Sequence, residues 1–306
     1  MNFSKEKANA ALSQLNNYVG KTTAVIADKT KAITEKSKTA VMNKIDVNGD
    51  GKIDVEDIII LSLKTPGVGI NREEFLRKEL TKNYPCNVLE KAIAETPAKA
   101  GISTAEINII ADNVIKFERN CVTSMSVALG TPGGAAMAAT IPADIIQYYG
   151  YMLRTAQKLM YLYGFPQIDM AEQGQQFDSE TLNILVVCLG AMYGVAGANG
   201  AIKTMAKALA GGVEKKLMRT ALTKGAVYPI VKNISKWFGV KMTKEVFAGF
   251  FKKAIPVVGG VVGGGITYAT FKPCCDKLKL SLQDTYLSNP NHEETEDEII
   301  IVENEE

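Results

Sequence analysis

The chain has 306 residues, of which 46% are hydrophobic and 22% charged, and its formal net charge is +2. These proportions are typical of a globular protein with a substantial core, and they exclude a chain that is disordered throughout. Five cysteines without a C-x-x-C motif indicate neither a disulfide framework nor a zinc site, so we expect reduced thiols. With no apolar signal region near Met1, the sequence predicts a cytoplasmic protein.

Residues 1–45 predict one long basic helix. Eight lysines stand against three acidic residues in this segment, and an apolar stripe recurs every seven residues at Leu12, Val19, Ile26, Ile33 and Ala40. Such a stripe is typical of a helix docked loosely on the core or of a short coiled-coil arm. A helix lying on a membrane surface is the alternative.

The segment DVNGDGKIDVEDII, residues 46–59, resembles a calcium-binding loop of the EF-hand type. Oxygen donors recur at alternate positions, and Gly51 allows the sharp turn that brings them to one centre. The last ligand is an aspartate instead of a glutamate, as in dockerin-type repeats, and its shorter arm makes Mg²⁺ the alternative to Ca²⁺. A metal-free turn is the structural alternative. The predicted ligands are Asp46, Asn48, Asp50, Lys52 through its carbonyl, Asp54 and Asp57.

Capping signals predict a series of helices after this loop. Asn71 with Glu74, and Ser103 with Glu106, are N-cap patterns, and prolines 85 and 97 flank a short helix. Since no segment alternates with period two between turn residues, the sequence predicts an all-α fold, a compact multi-helix bundle. The predicted helices are 55–64, 72–82, a short one between the two prolines, and one from Ser103 to about residue 129.

Residues 128–166 form an apolar, glycine-rich stretch that we expect to lie at the centre of the fold. No charged residue occurs between Asn120 and Ala143. Pro142 is predicted to be the first residue of a helix with Asp144 in its first turn, and Gly164 is predicted to close it.

Two further uncharged runs, 181–202 and 254–271, are rich in glycine. Gly190, Gly194 and Gly197 recur at helical spacing and predict a smooth helix face for close packing. Both runs approach the length that spans a bilayer. Because glycine lowers their hydrophobicity, we favour buried helical hairpins over membrane spans.

Three blocks in this order resemble the EcsC family: TPGGAAMAATIPADIIQYYGYMLRTAQKLMYLYG, ILVVCLGAMYGVAGANGAIK and KAIPVVGGVVGGGITYATF. The resemblance covers residues 71–287. It implies an α-helical bacterial protein named after an accessory protein of an ABC-type exporter, and it implies no settled enzymatic activity.

Charge is distributed unevenly toward the C-terminus. Residues 203–253 carry twelve Lys or Arg, whereas 292–306 carry eight Asp or Glu, no Lys or Arg and the only histidine, His292. We predict that this tail is disordered, that His292 is solvated, and that the tail folds back on the basic segment or adds residues 299–302 to another protein's sheet.

Few arginines and many lysines disfavour nucleic acid and favour an anionic membrane surface or a membrane protein complex as the partner. Trp237 would be the apolar anchor, with Lys232, Lys236, Lys241 and Lys244 around it.

One polar group near the apolar stretch is a candidate site, with a helix cap and ordinary satisfied side chains as the alternative. It comprises Asp144, Tyr148, Tyr151, Arg154 and Lys158.

The sequence thus predicts a basic helix (1–45), a calcium loop with its exit helix (46–64), an EcsC-like helical domain (65–288) and an acidic tail (289–306). The predicted function is that of a non-enzymatic accessory protein at a membrane. An enzyme that acts on a lipid or cell-envelope substrate is the alternative.

Overall fold

The computed structural model describes residues 55–130, 134–168, 179–211, 225, 227–241, 259–289 and 292–293. The predicted helix at 1–45 lies outside the described residues. Within these ranges there are nine helices and no strands, which confirms the all-α prediction. The helices are α1 (Val55–Leu63), α2 (Arg72–Leu80), α3 (Cys86–Ala94), α4 (Thr104–Gly130), α5 (Gly134–Leu162), α6 (Ser179–Tyr193), α7 (Ala198–Ala210), α8 (Val227–Lys241) and α9 (Gly259–Gln283).

The two predicted N-caps are confirmed. The Asn71 side chain accepts a hydrogen bond from the backbone N–H of Glu74 at 2.9 Å. At the start of α4, the backbone N–H of Ser103 donates to the Glu106 carboxylate at 3.0 Å, and the N–H of Glu106 donates to the Ser103 hydroxyl at 3.3 Å. These local bonds satisfy amides that a helix leaves without partners, which is why spacing alone located both ends.

Helices α4 and α9 pack against each other as an antiparallel pair. Lys279 lies 2.6 Å from Asp112 near one end of the pair, and Thr267 lies 3.1 Å from Ser126 near the other. A methyl group on Gly264 would collide with the Val127 side chain, so the glycine lets the two helices approach closely. The close packing predicted for the glycine-rich run at 254–271 is therefore confirmed at this position.

Helix α5 begins eight residues before Pro142, at Gly134. The prediction that Pro142 is the first helical residue, with Asp144 in the first turn, is therefore wrong. The preceding sequence is rich in alanine, the strongest helix former, and an interior proline removes a single backbone hydrogen bond. The predicted end is confirmed, because Gly164 adopts φ +96° and the N–H of Phe165 bonds the carbonyl of Met160 at 2.9 Å.

The run at 181–202 is divided into two helices, α6 and α7. Gly194 and Gly197 form the turn between them with φ of +72° and +84°, so the prediction that they lie on one continuous helix face is wrong. Left-handed backbone costs glycine little, and the turn therefore falls where these glycines occur. Gly190 remains helical, and a methyl group on it would lie 2.6 Å from Ile234 of α8.

Most residues of α6 and the inner face of α7 are buried in the core, as expected for a packed hairpin. Among the helices that the structure describes, none is both long enough and apolar enough to cross a bilayer.

Candidate functional site

Asp57 is the one predicted calcium ligand within the described residues. It lies in the first turn of α1 and is fully buried. Helix α1 is fixed to the bundle by the Ser62 hydroxyl, which donates to the Ile146 carbonyl at 2.9 Å. The other five predicted ligands lie outside the described part of the chain, and within that part no three His, Cys, Asp or Glu residues form a metal-binding group. The calcium site stays a prediction.

Arg154 and Lys158, from the predicted polar group on α5, converge on Glu118 of α4. The Arg154 Nε lies 3.1 Å from Glu118 Oε1, and the Lys158 ammonium binds the same oxygen. Glu118 is fully buried. Glu118 was not among the predicted residues, although one signal was present: this acid occupies the apolar face of α4 between Ile115 and Val122, which are both buried.

The charged groups of this cluster interact with one another and with other groups of the protein. Burial lowers the pKa of Lys158, and the neighbouring Glu118 carboxylate opposes that shift. The Arg154 guanidinium also donates to the carbonyl of Gly67, in the loop after α1. We conclude that the cluster joins α4, α5 and the α1–α2 loop, and that its cations are engaged by protein groups.

The two tyrosines of the predicted group lie apart from this cluster or at its edge. The Tyr148 hydroxyl lies 3.3 Å from that of Thr270, and Tyr151 is half-buried. Next to Tyr148, Tyr149 shares a 3.0 Å hydrogen bond with Tyr193. Burial raises the pKa of Tyr148 and that of Tyr149, the latter to about 12, so both phenols are neutral at physiological pH. The side chain of Asp144 lies outside the described part of the chain.

His292 is not solvated, so that prediction is wrong. Its side chain is buried, with Nδ1 at 3.0 Å from Asp284 and the ring centroid 4.7 Å from that of Tyr286. Asn289 also donates to Asp284 at 2.9 Å, and these two contacts, that of Asn289 first, lower the pKa of Asp284. The acidic residues that follow His292 favoured the prediction of a solvated side chain, and no local pattern indicated its contacts with Asp284 and Tyr286.

A cleft of about 870 Å³ separates the start of α2 from the end of α7. Arg72 in its wall donates to the carbonyls of Ile93 at 2.6 Å, Glu95 at 3.0 Å and Phe165 at 3.1 Å. With a further bond to the Ala92 carbonyl at 3.3 Å, four hydrogen bonds to carbonyls occupy the guanidinium, three of them at the C-terminal end of α3, where a cation is favourable. Arg72 therefore acts as a helix cap in this wall.

Helix α8 contains Trp237 and three of the four lysines that were predicted to lie around it. Its buried residues recur at helical spacing, and Lys232 and Lys236 are exposed on the opposite side. Trp237 is half-buried, with its ring centroid 5.7 Å from that of Tyr193 and 5.1 Å from that of Phe238. The side chains of the other two predicted lysines, Lys241 and Lys244, lie outside the described part. The buried residues are Val227, Val231, Ile234 and Phe238.

Comparisons of this chain with protein-family models, with curated protein sequences and with solved structures give no match. The resemblance to the EcsC family accordingly stays a hypothesis that rests on the three sequence blocks.

Proposed function

We propose that this chain is a non-enzymatic, EcsC-like helical protein that associates peripherally with the cytoplasmic face of an anionic membrane, or with a membrane complex of the transporter type. The observation that carries the proposal is helix α8, on which Lys232 and Lys236 are exposed and Trp237 is half-buried. Each lysine near an anionic leaflet contributes about 1 kcal/mol. An indole at the margin of such a surface suits the depth of the membrane interface.

Because Trp237 packs against Tyr193 and Phe238, its indole can contribute only part of its surface to membrane binding. An indole held by two aromatic rings keeps only part of its surface for lipid, so the lysines contribute most of the binding free energy. We therefore expect tryptophan emission that is already blue-shifted in buffer and changes little on binding. Sedimentation with vesicles is the more sensitive measurement.

The first prediction concerns these lysines. The full chain should co-sediment with vesicles of anionic phospholipid and not with vesicles of neutral phospholipid. Lys232→Glu combined with Lys236→Glu should weaken the partition coefficient on the order of 30-fold, because at least about 2 kcal/mol of attraction is lost.

The matched control is Lys91→Glu with Lys116→Glu, which changes the net charge equally at exposed positions of α3 and α4. We expect it to retain binding at moderate salt. Equal loss with both pairs would show that only net charge matters, and a wild-type chain that stays in the supernatant would reject the membrane proposal.

We further propose that residues 46–57 bind one Ca²⁺, with Mg²⁺ as the competing ion. Hard oxygen donors at alternate positions support this proposal. Asp57 also fits it, because position twelve of such a loop belongs in the first turn of the exit helix, and Asp57 lies in the first turn of α1. A bound cation would stabilise the negative charges of the carboxylates in the loop that precedes α1.

The second prediction follows from this site. Calorimetric titration of the chain with Ca²⁺ should show one site, which Asp50→Ala abolishes and Asp112→Ala, at an exposed position of α4, leaves intact. Saturating Ca²⁺ should raise the melting temperature of the wild type, because a ligand of the native state stabilises it. An absence of heat at millimolar Ca²⁺ would refute the site.

A further inference from the structure

The point at which the acidic C-terminal segment leaves the bundle is fixed. His292 lies 3.0 Å from Asp284 and packs edge-on against Tyr286, and Glu293 follows at the surface. The thirteen residues after Glu293 include Glu294, Glu296, Asp297 and Glu298 near their beginning. A dense negative charge therefore starts directly beside the anchored histidine.

Two lysines lie close to this exit point, and a third lines a cavity with one of them. The Lys207 ammonium lies 5.9 Å from the ring centroid of Tyr286, the ring that holds His292. Lys203 lies near Asp284 and contributes to lowering its pKa, after hydrogen bonds from Asn289 and His292. Lys203 and Lys277 line the same cavity of about 350 Å³, together with Asn199 and Ser281. We call Lys203, Lys207 and Lys277 the exit lysines.

We propose that the exit lysines are the docking surface for the acidic segment 294–306 of the same chain. Extended chain spans about 3.3–3.6 Å per residue, so the first five residues of the segment reach roughly 17 Å from Glu293. Lys207 lies near Tyr286 and Lys203 near Asp284, the two residues that hold His292, and their charge is opposite to that of the segment. Attachment at His292 also holds the acids at an effective concentration on the order of millimolar, which favours this occupant over a free anionic partner.

The exit lysines belong to α7 and α9, whereas the lysines proposed to contact the membrane belong to α8. The inference therefore goes beyond the proposed function, and either can fail without the other. Because attraction between exposed charges is screened within about 8 Å at physiological salt, the docking must weaken as salt rises.

Zero-length carbodiimide cross-linking tests the contact, since it joins a lysine amine to a carboxylate that touches it. In the full chain at low salt, we expect cross-links from residues 294–298 to the exit lysines, at least fivefold more abundant than to Lys91 or Lys116. Cross-links spread evenly over exposed lysines would overturn the proposal. A mixture of isotopically light and heavy chains identifies the occupant, because mixed-isotope cross-links would show a second copy and would also overturn it.

Amine labelling provides a second readout. A chain ending at Glu293 keeps the His292 anchor, and Glu294→Gln, Glu296→Gln, Asp297→Asn and Glu298→Gln together keep the length of the segment while removing charge. Either change should increase acylation of the exit lysines about threefold relative to Lys91, and 0.5 M salt should reduce the difference. Unchanged labelling in both variants would refute the docking surface.

Discussion

Replacement of Glu118 by glutamine is expected to destabilise the folded protein by about 3 kcal/mol, because it leaves the buried Lys158 ammonium without a compensating negative charge. Glu118 is fully buried and Lys158 nearly so. Arg154, the second cation, is 29% exposed, so its share of the loss is reduced by solvent. Chemical denaturation that follows helix content by circular dichroism measures the change as a lower midpoint with an unaltered slope.

Two further variants separate this cluster from ordinary surface ion pairs. Glu90→Gln breaks an exposed pair, in which Arg77 lies 2.6 Å from Glu90, and should destabilise the protein far less than Glu118→Gln, because solvent screens the pair. Glu118→Leu with Lys158→Met removes both buried charges and should recover part of the loss of the single variant. Equal destabilisation by Glu118→Gln and Glu90→Gln would contradict the role assigned to Glu118.

The cluster also illustrates what the sequence could predict. Arg154 and Lys158 were identified because they are one turn apart on a helix, but their partner lies 36 and 40 residues away. The spacing of residues along a helix shows which of them share a face. It does not show which other helix packs against that face. An acid at an apolar position, such as Glu118, is the sequence signal that a buried partner exists, without saying where.

Some helix ends were also predicted correctly from the local sequence, and others were not. Asn71 and Ser103 satisfy amides three residues away, so the local sequence predicted both caps correctly. The predictions for Pro142 and Gly194 were wrong, because a proline is compatible with the start of a helix and, at a cost, with its interior, and a glycine suits a helix face as well as a left-handed turn. The close approach of Ile234 of α8 to Gly190 is a packing constraint between helices, and no local rule contains it.

The same limit applies to the candidate membrane surface. The sequence placed Trp237 among lysines, but the structure was needed to show that its ring rests on Tyr193 and Phe238 while Lys232 and Lys236 are exposed. His292 is the opposite case, since its acidic surroundings predicted solvation and Asp284 and Tyr286 bury it instead. Net charge describes a segment, whereas burial is decided residue by residue.

Gly164→Ala is the second substitution with a large expected effect, a loss of about 2–4 kcal/mol in the free energy of unfolding. Gly164 ends α5 with φ +96°, and a methyl group there would lie 3.0 Å from the Leu287 carbonyl oxygen and 3.1 Å from the Thr96 side chain. The cost of backbone strain and the cost of crowding therefore add. The Leu287 carbonyl cannot move aside without displacing the segment that leads to His292.

Gly101→Ala separates the two contributions, because Gly101 adopts a similar φ of +88° with nothing within 4 Å of the added methyl group. It should cost only the strain, about 1 kcal/mol. Gly265→Ala, in α9 with equally open space, should leave stability unchanged or raise it by up to about 1 kcal/mol, since alanine favours the helix. The denaturation midpoints of the three variants should rank these effects on stability. If Gly164→Ala were no more costly than Gly101→Ala, then Leu287 would not pack against the end of α5, and the exit point of the acidic segment would not be held there.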